Sequence, residues 1–540
     1  MTAVALALRL GRWGILGFTA LAFVSSLIQA LGFYAVVDHD VSDRLAFAQN
    51  INVLASRFTV LLAPPVRPDT VEGYVQYRSY GGLAALFAAW AMVSASGALR
   101  GDEERGLVEA ALATGTGRAS LIVSKVLAYA AGSLAAALAA GLGLMVGAAG
   151  GGESVAFRGV LEAAVVLVAL AVCCYSLTLL IVQFTAARVA TATAGIVLLI
   201  LFLDNSLSRT FPWLSTARWL SPFRYFDSSQ PLVPGGTFDV RATLVLVCVS
   251  AVAAAAAAVA FSLRDVGAPL IRPPLRPHPT SHEPSRVLLW HAPVLRALYE
   301  RRLGLAAWTV GVAALGVVFV LMTKSVVDPL LSIPALARFF GTFVHGAIFS
   351  SFLGYFWFST AELLFAAYSI VQVARWSADD VEGRLGSMLA QPLSRAAVVI
   401  ERAAVLTAGA AAIVLVAAAA VEYASRTQGI DLDGGRLIES SLLLVPFTLF
   451  FAGAGSLLAA WSPRAAVGLL GGIVFASYLD SQVGQFFNWP TWVLDLSAFK
   501  LFGNPMTDGI DARSLALMLL VAIAGFGTSI LAMQRRDVGA

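Results

Sequence analysis

Apolar runs of about 20 residues, each bounded by a short polar stretch, follow one another along nearly the whole chain. That length is what a helix needs to cross a bilayer. Six such runs come first, at about 14–37, 81–99, 126–149, 159–187, 191–203 and 242–263. A stretch rich in Pro, His and Arg follows at 269–285, with no apolar periodicity, and reads as a linker. Residues 287–302 then carry Leu288, Leu289, Leu295 and Leu298 against Arg296, Glu300 and Arg301, the pattern of an interfacial amphipathic helix. Six more runs follow at about 303–322, 345–374, 403–421, 438–461, 466–479 and 515–533. The pattern predicts an all-α polytopic membrane protein of about twelve transmembrane helices. The first run is too long for the apolar region of a signal peptide and reads as a retained span.

The polar stretches between the second and third runs of each set are the most informative. The first, from Arg100, reads R-G-D-E-E-R-G-L-V-E-A-A-L-A-T-G-T-G-R; the second, from Ala378, reads A-D-D-V-E-G-R-L-G-S-M-L-A-Q-P-L-S-R. Acidic residues open each and a cation closes it, the order that the peptide dipoles of a helix favour. The first copy predicts a surface helix with Leu107, Ala111 and Leu112 on one face, opposite Glu103, Glu104 and Arg105, broken at Gly115 and Gly117.

These stretches belong to a repeat of about 275 positions. Leu203-Asp204 recurs as Leu479-Asp480, Leu220-Ser221 as Leu496-Ser497, and Arg264-Asp265-Val266-Gly267 as Arg536-Asp537-Val538-Gly539; Phe223 matches Phe499, Pro231 matches Pro505, and Arg118 matches Arg395. The expected organisation is a first six-helix half at 1–267, a linker and interfacial helix at 268–302, and a second six-helix half at 303–540. An even number of spans per half makes the repeats parallel, around a central path. Arginines in the short loops put both termini in the cytoplasm.

Composition narrows the chemistry. The chain is 59% hydrophobic and 13% charged, with mean hydropathy +0.82, whereas soluble domains carry about 25% charged residues. The net charge of +4 calls for no nucleic acid. Cys173, Cys174 and Cys248 lie in apolar runs and read as small hydrophobes, and the five histidines show no ligand spacing. The sequence contains no G-x-x-x-x-G-K-[ST], H-E-x-x-H or G-x-S-x-G. The expectation is a membrane subunit that is not an enzyme, with no metal and no cofactor of its own.

Two stretches of the form acidic–Gly–Leu–small–Leu–Ala–x–[Gly/Pro]–x–[Gly/Ser]–Arg, each between the second and third spans of a six-span half, resemble the permeases of ABC-2 type exporters. The two-half arrangement resembles the actinobacterial permeases of polyketide-antibiotic and drug exporters. The first copy departs from the pattern, with Thr114-Gly115 where the second has Gln391-Pro392. The resemblance implies a bacterial plasma-membrane permease that moves hydrophobic or amphiphilic compounds outward. It also implies a separate ATPase, two copies, carrying the ATP and Mg. Its docking residues would be Asp102, Glu103, Glu104, Arg105 and Gly106, with Asp379, Asp380, Glu382 and Gly383.

In such a permease the second and fifth spans of each half line the substrate path, and the second spans point to Phe87, Trp90, Phe352, Tyr355, Phe356, Ser359 and Glu362. Glu362 lies near mid-bilayer, where an ionisable group is costly unless it faces protein or water, and its counterpart is near Ala85. Tyr355 and Ser359 share its face and could donate hydrogen bonds to it. The other reading of Glu362 is the proton carrier of a secondary transporter. Trp213, Trp219, Trp489 and Trp492 are expected at the outer interface, as an outer gate.

Overall fold

The computed structural model describes residues 3–37, 41–57, 63–185, 187–209, 216–271, 292–331, 348–390, 393–483 and 490–536. Two compact units divide the chain, Met1–Pro279 and Thr280–Ala540. The first contains α1 (Ala3–Val36), α2 (Val41–Arg57), α3 (Val71–Glu104), α4 (Leu107–Ala113), α5 (Arg118–Gly150), α6 (Phe157–Phe184), α7 (Ala187–Leu207), α8 (Pro222–Asp227) and α9 (Val240–Leu263). The second contains α10 (Pro293–Glu300), α11 (Arg302–Leu331), α12 (Ile348–Val381), α13 (Arg384–Leu389), α14 (Arg395–Thr427), α15 (Gly434–Trp461), α16 (Pro463–Val483), α17 (Ala498–Phe502) and α18 (Ala512–Arg535).

Among the described residues, eleven helices are long and apolar enough to cross a membrane. The remaining expected span, α16, has 21 residues and carries Arg464 and Asp480 near its two ends. The protein is an all-helical, multi-pass membrane protein. Its spanning helices outrun the apolar runs that announced them. Thr70 caps α3 by accepting from the Gly73 amide at 3.1 Å, so the helix starts ten residues before its apolar run. At the other end α3 runs on through Arg100, Asp102 and Glu103, all buried. Two π-helical turns, at Gln76–Tyr80 and Gly97–Gly101, lie within it.

Each unit packs in the same order. In the first, α1 lies on α5, α3 on α6, α5 on α6 and α9 on α6; in the second, α11 lies on α14, α12 on α15, α14 on α15 and α18 on α15. One apolar core runs through each bundle, around Phe87, Leu144, Leu167 and Phe261 in the first and Trp357, Phe365, Phe447 and Phe451 in the second. At the end of each bundle away from α4 or α13, the repeat residues seal a loop. The Ser221 hydroxyl donates to the Leu201 carbonyl at 2.6 Å, and the Ser497 hydroxyl to the Ser477 carbonyl at 2.6 Å. Phe223 and Phe499, two residues on, are both buried. Trp219 and Trp492 are exposed, with the Arg224 guanidinium 3.7 Å from the centre of the Trp219 ring. Trp213 and Trp489 lie outside the described residues.

The α1–α5 contact depends on small residues. Lipid supplies no hydrophobic drive between helices, so association rests on close packing. A methyl group added at Gly143 would lie 2.2 Å from the Phe23 carbonyl oxygen, and one at Gly147 would lie 2.5 Å from the Ala30 Cβ. Gly143→Leu is therefore expected to lower stability by about 1–3 kcal/mol or more, read as a drop in melting temperature in detergent. Gly150→Ala, where the nearest atom would be Leu31 Cδ2 at 3.7 Å, is expected to melt like the parent. Equal melting of Gly143→Leu and the parent would contradict this packing.

Candidate functional site

The acidic turns sit where a charge is least welcome. Asp102, Glu103 and Glu104 form the last turn of α3, and Asp379 and Asp380 the last turn of α12. This corrects the sequence expectation, which placed them in the first turn of a surface helix. Gly106 (φ 70°) and Gly383 (φ 74°) adopt the left-handed conformation and end each long helix before the short one begins. The Gly106 amide donates to the Glu103 carbonyl at 3.0 Å, and that of Gly383 to the Asp380 carbonyl at 3.0 Å. A helix C-terminus carries partial negative charge, so these carboxylates need cations from elsewhere.

In the first unit Arg264, Arg100 and Lys125 supply them, and Arg118 binds the backbone beside them. The Glu103 side chain, 2% exposed, is bonded by Arg264 at the end of α9 and by Arg100 at 2.9 Å. Arg264 also donates to the Gln183 side-chain oxygen at 2.7 Å, and Arg100 to the carbonyls of Val182 at 2.9 Å and Thr185 at 2.7 Å. Lys125 on α5 bonds Asp102 at 2.6 Å and also donates to the Ala98 carbonyl. Arg118, the first residue of α5, donates to the carbonyls of Phe261 at 2.8 Å and Arg264 at 2.7 Å, capping α9. The ends of α3, α6 and α9 and the start of α5 are thereby fastened into one clasp.

The second unit has the same clasp at the repeat positions. Arg536 bonds both oxygens of Asp380, at 2.8 and 3.1 Å, and donates to the Ala460 carbonyl at 3.2 Å. Arg402 on α14 reaches Asp379 at 3.5 Å, where Lys125 reaches Asp102. Arg395 donates to the carbonyls of Met533 and Arg536, the latter at 2.8 Å, as Arg118 does to α9. The position of Arg100 is taken by Ser377, so the second clasp has no counterpart to that guanidinium. The repeat had marked Arg264 and Arg536 only as matching letters. Their partners lie about 160 positions away in the chain and no local pattern points to them.

Burial divides the nine candidate docking residues. Asp102 and Glu103 are buried, and Asp379 and Asp380 half-buried; Glu104, Arg105, Gly106, Glu382 and Gly383 are exposed. Glu103 is thus not on the outer face with Glu104 and Arg105, because Arg264 and Arg100 hold it against the packed side of α3. The left-handed glycine then resets the helical phase, so α4 buries Val108 and leaves Leu107 exposed. Its counterpart in α13 is Leu385, packed with Val398, Val399, Ala460 and Met533. A recess of about 540 Å³ beside α13 is lined by Val381, Glu382, Trp461, Arg464 and Arg536, with Trp461 76% exposed. Gln391 and Pro392 lie outside the described residues.

The candidate path residues separate by depth. Phe87 is buried and Trp90 is stacked on Phe18, ring centres 4.4 Å apart. Trp90 also borders a cavity of about 270 Å³ beside the Asp102–Lys125 pair, with Tyr129, Tyr175, Gly11 and Gly14. The Tyr129 and Tyr175 rings, unnoticed in the sequence, stack at 4.2 Å. On α12, Tyr355 is exposed, Ser359, Phe352 and Phe356 are partly exposed, and Glu362 is buried. The Ser359 hydroxyl donates back to the Tyr355 carbonyl at 2.7 Å rather than to Glu362. Among the described residues, Glu362 has no ion-pair partner.

Removing one partner of a buried pair leaves an uncompensated charge, a loss of about 3–5 kcal/mol. Glu103→Gln strands both Arg264 and Arg100 and is expected to lose stability in that range. Asp380→Asn is expected to lose less, because the Arg536 side chain is 28% exposed against 1% for Arg264. Melting temperatures of the two variants in one detergent check the order. Equal losses would mean that burial does not set the strength of the clasp.

The family described as "Multidrug efflux system permease Rv1217c, C-terminal domain" matches residues 1–262 and 292–534. No curated protein matches the chain. The two matched stretches take in both acidic turns and end just before Arg264 and Arg536. With its membrane-spanning helices, the chain belongs to the multidrug efflux permease family.

Proposed function

We propose that the chain is the membrane subunit of an ATP-driven exporter that moves hydrophobic or amphiphilic, drug-like compounds out of a bacterial cell. A separate ATPase, in two copies, supplies the ATP and Mg, and the end of each unit that bears α4 or α13 is cytoplasmic, as are both termini. The observation that carries this reading is the duplicated clasp within a multidrug efflux permease family member. A soluble domain seated on an exposed turn can move a bundle only if the turn does not give way first. The clasp ties each turn to the ends of spanning helices through charge-assisted hydrogen bonds, which suits transmission of a rigid-body push.

On this reading the docking contacts come from the exposed residues: Glu104, Arg105, Leu107 and Glu109 on one turn, and Val381, Glu382 and Arg384 on the other. The buried Asp102 and Glu103 and the half-buried Asp379 and Asp380 act through the shape of the turn. Charge reversal at Glu104 and Arg105, or at Glu382 and Arg384, is expected to weaken ATPase association at least tenfold in a pull-down, with melting temperature within a few degrees of the parent. Association unchanged in both variants would remove the docking assignment.

Glu362 supports the finer proposal that α12 contributes to substrate selection. A buried carboxyl without a cation is costly in a membrane, and the repeat does not require one, because Ala85 takes its place in the first unit. Glu362→Gln keeps the shape and is expected to change which compounds are exported while assembly stays normal. The same observation favours a second reading, proton-coupled transport through Glu362. Export that continues with an ATPase unable to hydrolyse ATP, and stops when the proton gradient is collapsed, would establish the second reading over the first.

A further inference from the structure

We infer that the corner between α10 and α11 holds the phosphate of an anionic phospholipid headgroup between Arg301 and Arg375. Arg301 occupies the break between the two helices. With Arg375 of α12 it lines a cavity of about 10 Å³, room for one water, walled by Gly304, Trp308, Tyr368 and Gln372, so the phosphate group sits at its mouth. The two positive charges act on each other, and Arg301 acts also on Arg402. Neither Arg301 nor Arg375 has a hydrogen-bond or ion-pair acceptor among the described residues. The nearby carboxylates are committed. Asp379 is shared by Arg384 at 3.0 Å and Arg402 at 3.5 Å, and Glu300 is bonded by Arg296 at 3.0 Å. Two guanidiniums facing one cavity without a carboxylate call for an anion, and phosphate matches the donor geometry of guanidinium.

Depth and shape favour a lipid over free phosphate. Arg375 precedes the end of α12 by six residues, about 9 Å of helix. The short α10 carries exposed Leu295 and Tyr299, with the Arg302 guanidinium 4.1 Å from the centre of the Tyr299 ring. Such amphipathic helices lie at headgroup level. The Trp308 and Tyr368 rings meet edge to face at 5.3 Å and close the inner wall. On α11, Leu303 (76% exposed) and Val310 (67% exposed) offer an apolar surface along which acyl chains can run. The repeat does not require a cation here, because Ala98 stands in the first unit where Arg375 stands in the second.

The test uses the purified full chain in nanodiscs of phosphatidylcholine alone or with phosphatidylglycerol, with melting temperature and retained lipid as readouts. Phosphatidylglycerol is expected to raise the melting temperature, and to be retained through detergent extraction about tenfold better by the parent than by Arg301→Gln/Arg375→Gln. Arg296→Gln, outside the cavity, is expected to behave like the parent. Inorganic phosphate added to the phosphatidylcholine nanodiscs is expected to give no such rise. If the double variant does not fold, the single variant Arg375→Gln carries the same comparison, since its side chain sits at the surface. An undiminished phosphatidylglycerol preference in the folded variant overturns the site. A full rise with inorganic phosphate alone overturns the lipid.

Discussion

The structure depends on holding carboxylates where the peptide backbone repels them. Glu103 and Asp380 stand at the C-terminal ends of the longest helices of their units, buried or nearly so. The helix dipole, the loss of water and the membrane all oppose a negative charge there. Arg264 and Arg536 make it tolerable, and each comes from the far end of its own unit's chain. A bundle of helices in lipid has little to fix its ends in register. A buried ion pair with its remaining hydrogens donated to backbone carbonyls fixes them by geometry. Net stability need not rise with it, since well-packed apolar residues often do as well.

The same constraint explains why the exposed part of each turn is small. Once the acids are drawn into the clasp, only the two residues before the left-handed glycine, the glycine itself and the first residues of the short helix project outward. The two projections differ. The first offers Glu104, Arg105 and Glu109, and the second Val381, Glu382 and Arg384 beside the recess at Trp461. Inside the bundles the asymmetry is stronger. Trp90, Tyr129 and Tyr175 border a cavity in the first unit, whereas Glu362 and the Arg301–Arg375 cavity belong to the second. A repeated scaffold with unlike interiors is what separate tasks for the two units require.

Much of the fold was legible in the sequence. Apolar runs are the direct mark of spanning helices, and each one became a helix. Their ends were misplaced because a helix continues wherever its polar groups find partners, and those partners lie far away in sequence. Lys125, for instance, makes Asp102 compatible with the end of α3 from 23 positions on. The break at Gly106 was missed for a related reason. Helical periodicity read across the acidic stretch assumes unbroken phase, and a left-handed residue resets it. For the candidate site, the duplicated letters pointed to the two turns and to Arg264 and Arg536. That Arg264 meets Glu103 rather than lipid or solvent is a tertiary fact with no local signature.

The most direct test of the account is whether a released clasp uncouples the turn from the bundle. Asp380→Asn leaves the exposed residues of α13 in place and removes the charge that Arg536 holds. In the complex reconstituted with the proposed ATPase, the measurement is compound-stimulated ATP hydrolysis alongside transport. The account predicts that the ATPase still binds and hydrolyses ATP at its basal rate, while stimulation and transport per complex fall together by about tenfold or more. Unchanged stimulation and transport in a variant that has lost the Asp380–Arg536 pair would contradict it.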